Sequence, residues 1–492
     1  MEHKGLGYYM FLIKSERVKQ YILIILVITS IIQVGILWNY QRRGMPTNFL
    51  WNIISAKNNQ ATIDMEDFFK PFKIVVSGGF ENPHWVLNEE DSYYDEIWKN
   101  AKHYLKNIIT QKKITDEREY GESKWKDVIE KKSFIIEFKN NISSNLMAAF
   151  LGVATSGGIK PQEIYKIAIL PAENINNNVN VYIYDGEKVY LYTMSFYDKG
   201  LSRWDYDLII EELYEAKKES FEVVSEIIRS TDRSPFYFKP DVLIVAKGNK
   251  YRSFRNAISS IPFDMPDLDS KSSEDIDLIA EEVLGNEKDS FIQSVDMEDV
   301  IVFKNFSNRY NIYKDGLLEY KYLSVIGKRD KGNETEAFKK ALEFIKIRGN
   351  LISDVDIYLA KAVDEGEYYS FYFDYKFNNM PVVVNGYPVK NSDKRLNHAI
   401  NISANSKRVL SCEWVLRNFK AGDEVLELNM NFGDLLDDTF EMYTDLATGG
   451  FSIKDKNVSY EIKYSVNTES IVPTWVIEGI DGRRYIVPMK EK

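Results

Sequence analysis

Along the first half of the chain, short apolar segments typical of strands alternate with segments whose apolar residues have the spacing of a helix. Short apolar runs predict buried strands at Pro71–Gly79, Ser133–Lys139 and Tyr165–Ala172. Helical spacing predicts one helix that opens at Ser92 and a long one over Asp207–Ile228. Helices and strands that follow one another in this way favour an α+β fold with helices packed on antiparallel sheets.

The second half of the chain continues the mixture. The acidic stretch Asp264–Leu278 predicts a loop that runs into a helix, and Glu334–Gly349 predicts a helix ended by its glycine. Long alternating strands follow, and Phe432–Ala447 predicts one more helix before two closing strands.

Three Asp-Gly pairs stand between alternating apolar segments. They are Asp185-Gly186, Asp315-Gly316 and Asp481-Gly482. Glycine accepts the positive φ of a tight hairpin, so each pair predicts a hairpin turn. One hairpin near the end of each third of the chain favours three α+β modules, although coincidence is the alternative because hairpins are common.

These patterns predict five segments. In chain order they are a short cytoplasmic head at 1–20, a transmembrane anchor at 21–38, an N-terminal extracytoplasmic α+β domain at 45–235, a middle α+β domain at 236–330 and a C-terminal α+β domain at 331–492.

The anchor is predicted from the longest apolar run. Tyr21–Trp38 contains no charged residue, and a helix of that length reaches about 27 Å, close to the hydrocarbon thickness of a bilayer. A cleaved signal peptide has a shorter apolar region and small residues at its cleavage site, which this segment lacks. Trp38 and Tyr40 are placed like the aromatic belt of a membrane span. We therefore expect a retained, single-pass signal anchor.

Three polar residues fall on one face of this predicted helix: Thr29, Ser30 and Gln33. Polar side chains at membrane depth often bind a neighbouring helix, which makes this face a candidate partner-binding site. The alternative is that Gln33 reaches the outer headgroups while Thr29 and Ser30 bond their own backbone.

Charge is distributed unevenly. The whole chain carries −11, and residues 1–43 carry +4, which leaves −15 for the remainder. Binding of nucleic acid requires clustered Lys and Arg, so an acidic body disfavours it. Lys14, Arg17 and Lys19 before the span favour a cytoplasmic N-terminus, although Arg42 and Arg43 follow the span.

Catalytic signatures are missing from the sequence. It lacks the phosphate-binding, nucleophile-elbow and zinc-protease motifs. The single cysteine, Cys412, lies in a strand-like run and is interpreted as a small buried residue. Asp267 and Asp269 only partly match a calcium loop and are interpreted as solvated. We expect no enzyme, no metal site and no cofactor.

Several segments in order nevertheless resemble one family. A basic head and one span precede FKPFKIVVSGGFENPHWVLNEEDSYYDEIWKNA and WKDVIEKKSFIIEFKNNI, and the chain closes with VPTWVIEGIDGRRYIVPM. This layout resembles the YycH family, and the closing part is also similar to the related YycI. These are membrane-anchored accessory proteins of the WalK/WalR (YycG/YycF) two-component system in low-GC Gram-positive bacteria.

The resemblance implies a regulator without catalytic residues. It implies contacts with the sensor histidine kinase and with a YycI-like protein in the membrane, partly through the transmembrane helix, and control of cell-wall metabolism. The alternative is a membrane-tethered cell-wall binding or assembly factor with no kinase partner. An anchored hydrolase that uses a pair of carboxylates is the third possibility.

Overall fold

The N-terminal half of the protein is built on a sheet of antiparallel strands. The computed structural model describes residues 68–154, 160–172, 178–195, 200–224, 236–246, 250–296, 300–324, 330–390, 392–443, 451–462 and 468–492. Within them, nine strands form this N-terminal sheet in the order β10-β8-β2-β1-β4-β5-β6-β7-β3. With strands numbered in chain order, their bounds are β1 Lys73–Ser77, β2 His84–Leu87, β3 Ile114–Gly121, β4 Ser133–Ser143, β5 Glu163–Leu170, β6 Asn178–Tyr184, β7 Lys188–Ser195, β8 Ser220–Val223 and β10 Leu243–Val245.

A larger sheet carries most of the C-terminal half. Thirteen strands join it within the described ranges, and β24 pairs in parallel with both β18 and β9. The bounds are β9 Phe236–Phe238, β12 Ile292–Asp296, β13 Val300–Lys304, β14 Asn308–Tyr313, β15 Leu317–Tyr322, β16 Asp356–Asp364, β17 Tyr369–Phe377, β18 Met380–Val384, β21 Ile400–Ala404, β22 Val409–Val415, β24 Phe451–Ile462, β26 Pro473–Gly479 and β27 Arg484–Pro488.

Two small sheets complete the described strands. The three-stranded sheet has the order β23-β11-β25, with β11 Tyr251–Ser260, β23 Asn418–Asn429 and β25 Glu469–Ile471. A separate pair is formed by β19 Tyr387–Pro388 and β20 Arg395–Leu396. All sheets belong to one compact unit, Asp64–Lys492.

Helices cover the sheets and bury their apolar stripes. In the described part of the chain they are α1 Tyr94–Ile109, α2 Ser123–Ile129, α3 Ser144–Phe150, α4 Arg203–Glu215, α5 Ser273–Leu284, α6 Glu334–Ile347 and α7 Phe432–Met442. Short 3-10 segments occur at Pro262–Ser270, Gly285–Ser290 and Gly349–Leu351. None of these helices is long and apolar enough to cross a membrane. The predicted anchor at 21–38 lies outside the described residues.

Aromatic rings join the N-terminal sheet to the large sheet. Phe69 stacks on Phe150 of α3 at 5.3 Å between ring centroids and meets Phe338 of α6 edge-on at 5.2 Å. On the other face of the N-terminal sheet, Trp125 of α2 stacks on Tyr184 at 5.2 Å. Such aromatic pairs add about 0.5–1.5 kcal/mol to the burial of their area.

The predicted α+β class with antiparallel sheets is confirmed. Ile97, Ala101, Leu105 and Ile108 form the buried stripe of α1, the helix predicted to open at Ser92, although this helix begins at Tyr94 and its N-cap, Tyr93, makes no side-chain cap hydrogen bond. The predicted domain bounds at residues 235 and 330 stay predictions.

The long helix predicted over Asp207–Ile228 is wrong. The helix α4 begins earlier, at a capping box between Ser202 and Asp205, and it ends at Glu215. Lys217 then takes a positive φ of 52°, which turns the chain out of the helix. The following Phe221 and Val223 lie in β8 because they pair with β2 and β10. Tertiary pairing therefore overrides the local helical period.

Candidate functional site: a cleft between the sheets

The candidate partner-binding residues Thr29, Ser30 and Gln33 lie outside the described residues, so their role stays a prediction. Cys412 is a buried, free cysteine, and burial raises the pKa of its thiol well above the ordinary value. Asp267 and Asp269 lie at the exposed surface of a 3-10 segment. In the described part of the chain, no cluster of three or more His, Cys, Asp and Glu side chains could hold a metal ion.

Buried charges connect the N-terminal sheet to the large sheet. Lys166 of β5 contacts Glu137 of β4 at 3.3 Å and Asp241 at 2.5 Å, and Lys166 and Glu137 are each only 5% exposed. Lys73 of β1 contacts Glu137 at 3.3 Å and Asp455 of β24 at 3.5 Å. We call these five residues the buried ion network. It extends from the loop before β10 across the N-terminal sheet to β24.

The charges of this network stabilise one another. Burial alone would lower the pKa of Lys166, but the carboxylates of Asp241 and Glu137 outweigh it, so the pKa is raised well above the ordinary value. Burial would likewise raise the pKa of Asp455, yet Lys73 and more distant lysines lower it. Lys166 and Asp455 therefore stay charged inside the protein because their partners are present.

Beside the network lies a cleft of about 580 Å³, which we call the inter-sheet cleft. It lies where the N-terminal sheet, the large sheet and the three-stranded sheet meet, and that volume is in the range of small-molecule sites. Its apolar lining includes Phe221, Phe254, Met380, Met430 and Trp475. Phe254, Met430 and Trp475 also belong to the core cluster beneath it, so the apolar side of the cleft is held in place by packing.

Cations outnumber carboxylates in this lining, although the protein as a whole is acidic. The lining residues include six cations and two acids; the cations are Lys73, Lys218, Arg252, Arg255, Lys376 and Lys456, and the acids are Glu219 and Asp455. Carboxylates neutralise four of the six cations. Besides Lys73 in the network, Arg252 pairs with Glu219 at 2.8 Å, Lys376 with Glu89 at 2.8 Å, and Lys218 with Asp91.

Lys456 is one of the two cations in this lining that have no carboxylate partner among the described residues. Within the described residues, neither its Nζ nor the guanidinium of Arg255 has a carboxylate within 4.0 Å. The ammonium instead lies over the ring of Trp475, 4.6 Å from its centroid, and 5.8 Å from that of Phe432. Burial lowers the pKa of Lys456 to about 8, against the attraction of Asp455. An amine with this pKa is still mostly protonated at neutral pH.

A second, polar cavity of about 550 Å³ lies at β27 and contains a paired histidine. His398 Nδ1 lies 3.0 Å from the buried Asp374, whose other oxygen accepts the Ala399 N–H at 3.1 Å. Arg484 lies 3.8 Å from the same carboxylate. Burial would raise the pKa of Asp374, but His398 and Arg484 lower it. This arrangement orients one imidazole nitrogen of His398.

Sequence reasoning missed the inter-sheet cleft. Its residues come from Phe72 at one end of the body to Trp475 near the other, and no short motif unites them. One local signal existed: Lys454-Asp455-Lys456 places three charges in the middle of β24, which otherwise carries buried apolar residues such as Ile453 and Tyr460. Consecutive charges inside a buried strand indicate partners from other elements.

Comparison with known proteins finds one family model that is similar to the N-terminal part of the chain. Residues 16–208 match the family model described as the YycH protein, N-terminal domain. The crystal structure of YycH from Bacillus subtilis has a TM-score of 0.54 and 13% identity, covering 86% of this chain and 96% of that one. An uncharacterized protein from Eubacterium rectale reaches a TM-score of only 0.30 at 14% identity, covering 48% and 82%. No curated protein sequence matches the chain.

At 13% identity, the likeness to the crystal structure of YycH shows a shared fold. The family model ends at residue 208, so the predicted likeness of residues 331–492 to YycI stays a prediction.

Proposed function

We propose that this chain is a YycH-type protein that regulates a sensor histidine kinase of the WalK/YycG type. The match of residues 16–208 to the YycH N-terminal domain carries the proposal. The shared fold with YycH of Bacillus subtilis supports it, since that likeness extends over 86% of the chain. The regulator acts by contacts with other proteins and performs no catalysis.

The proposal includes a membrane anchor at Tyr21–Trp38. The region that matches the family model begins at residue 16, so the apolar run lies inside it. A single span with a cytoplasmic N-terminus would place the acidic body outside the cell membrane. From there the body would take part in signalling that controls cell-wall metabolism, and the YycI-like part at 331–492 would belong to the same side.

The proposed mechanism is a shift between two arrangements of the kinase. A kinase whose active and inactive helix arrangements differ by a few kcal/mol is biased by any helix that packs better on one of them. The polar face formed by Thr29, Ser30 and Gln33 would provide that preference, with each interhelical hydrogen bond worth about 0.6–2 kcal/mol. The kinase and a YycI-like membrane protein are the expected partners.

Photo-crosslinking in intact membranes tests this function. A photoreactive residue replaces Gln33, and a matched control replaces Ile31, which lies at similar depth on the opposite face of the predicted helix. We expect the Gln33 probe to capture a histidine kinase or a second single-span regulator, identified by mass spectrometry, and the Ile31 probe to capture mainly lipid.

If both probes captured only lipid, this result would contradict the proposed contact between the transmembrane helix and a protein partner. If the isolated protein in lipid nanodiscs then bound cell-wall fragments, the alternative of a tethered wall-binding factor would replace the proposal. Equal capture of the kinase from both positions would retain the regulator but remove the polar face from the mechanism.

A further inference from the structure

The inter-sheet cleft has the charge and polarity of a binding site. Three sheets contribute to it: Phe221 belongs to the N-terminal sheet, Met380 and Trp475 to the large sheet, and Phe254 to the three-stranded sheet. Convergence of several elements on one concavity of about 580 Å³ is typical of small-molecule sites.

The free charge in the cleft is positive. Four of its cations are neutralised by carboxylates, and Arg255 and Lys456 remain without a carboxylate within 4.0 Å among the described residues. The acidic body repels polyanions at long range, so this local surplus favours a small anion with few charges. Uncompensated charge beside an apolar surface is costly, and a bound acid group would remove that cost.

The apolar part of the cleft lining indicates the chemistry of the part of the ligand that lies beyond its acid group. The ammonium of Lys456 lies 4.6 Å from the centroid of the Trp475 ring, so an acid group at Lys456 is directly beside that aromatic face. Met380, Met430 and Phe254 extend the apolar surface from there. Methionine side chains adapt to flat and irregular partners.

We propose that the inter-sheet cleft binds an organic anion whose carboxylate or phosphate pairs with Lys456 and whose apolar body lies on Trp475 and Met380. The lowered pKa of Lys456, about 8, agrees with an ammonium that lacks an anionic partner. This binding does not depend on which kinase the protein contacts.

Binding of 2-naphthoate to the full chain in lipid nanodiscs tests the proposal, with empty nanodiscs as the blank. Isothermal titration compares this aromatic carboxylate with neutral 2-naphthamide, which has nearly the same shape, and with acetate, which lacks the apolar body. We expect saturable binding at one site by 2-naphthoate and at least about tenfold weaker binding by the other two, because the amide lacks the charge that pairs with Lys456 and acetate lacks the apolar body that lies on Trp475.

Substitution of the lysine assigns the site. Lys456→Met is expected to weaken 2-naphthoate binding at least about tenfold, and Lys456→Arg is expected to retain it. Lys346→Met removes the same charge from an exposed position at the end of α6 and is expected to leave binding unchanged. Absence of 2-naphthoate binding, equal binding of the amide, or an unchanged affinity in Lys456→Met would each overturn the proposal.

A measurement on the unsubstituted protein keeps the test decisive if Lys456→Met fails to fold. Trace acetylation by acetic anhydride, followed by peptide mass spectrometry, reports the reactivity of each lysine. We expect 2-naphthoate to slow modification of Lys456 and to leave Lys346 unaffected. The same rate at Lys456 with and without 2-naphthoate would also overturn the proposal.

Discussion

The ammonium of Lys166 donates to the carboxylate of Asp241 at 2.5 Å, and both groups lie in the interior of the protein. The same carboxylate oxygen accepts the indole N–H of Trp125 at 2.9 Å, so α2, β5 and the loop before β10 meet at one buried atom. Beyond this pair, Glu137 and Lys73 continue the contact to Asp455 of the large sheet. The buried ion network therefore links the N-terminal sheet to the large sheet through a series of paired charges.

Removing one charge from this pair should destabilise the protein strongly. Asp241→Asn leaves Lys166 buried with Glu137 as its remaining carboxylate, and breaking a buried pair on one side costs about 3–5 kcal/mol. Urea unfolding of the full chain, followed by tryptophan fluorescence, measures the free energy of unfolding. The control is Asp127→Asn, which breaks the exposed Lys124–Asp127 pair and should cost less than about 1 kcal/mol.

The double variant Lys166→Met with Asp241→Asn tests whether the cost of Asp241→Asn comes from the buried ammonium that it leaves without this partner. Since it removes the ammonium together with its carboxylate partner, it should be more stable than Asp241→Asn alone. If Asp241→Asn and Asp127→Asn lowered the free energy of unfolding by the same amount, the buried ion network would contribute no more than an exposed pair.

A second prediction concerns the pH dependence of stability. His84 of β2 is 2% exposed, and neither ring nitrogen has a hydrogen-bond partner among the described residues. Burial lowers its pKa to about 4. The unfolded chain therefore takes up a proton at His84 as pH falls below about 6.5, whereas the folded protein does so only near 4. The contribution of His84 should lower the free energy of unfolding across this window by roughly 3 kcal/mol, and this contribution levels off below pH 4.

The substitution His84→Leu isolates this contribution. It should reduce the loss of stability between pH 6.5 and 4. Burial also lowers the pKa of the partly exposed His103. Because both proteins contain His103, its effect cancels when the free energies of unfolding of the two proteins are subtracted at each pH. Asp241, Asp374 and Asp455 have lowered pKa values, so their contributions are lost only below about pH 4. Parallel pH profiles of the two proteins would contradict the assignment.

Local patterns predicted the elements whose residues are neighbours in sequence. The helix from Glu334, the helix from Phe432 and the strand after Pro71 all occur where the apolar periods indicated them. The prediction for the segment after Glu215 was wrong because the strand there depends on pairing with His84 and Leu243, which are distant in the sequence. The inter-sheet cleft could not be predicted for the same reason, since its charges and rings meet only after the three sheets have packed.

The three predicted Asp-Gly turns are confirmed, and they differ in what surrounds them. Gly186, Gly316 and Gly482 all have positive φ, of 103°, 87° and 80°, between antiparallel strands. A side chain at Gly482 would meet nothing within 4 Å. At Gly316, a Cβ would lie 2.9 Å from the carbonyl oxygen of Leu416 and 3.1 Å from Ile261.

Substitution by alanine should therefore separate backbone strain from a steric clash. Gly482→Ala meets only the unfavourable positive φ, which costs about 1–2 kcal/mol. Gly316→Ala meets the same strain and must also displace the Leu416 backbone, whose N–H bonds the Gly316 carbonyl at 2.8 Å. We expect its free energy of unfolding to fall by at least about 1 kcal/mol more than that of Gly482→Ala in the same urea titration. If both variants lost the same stability, the close approach of Gly316 to Leu416 would not constrain this turn.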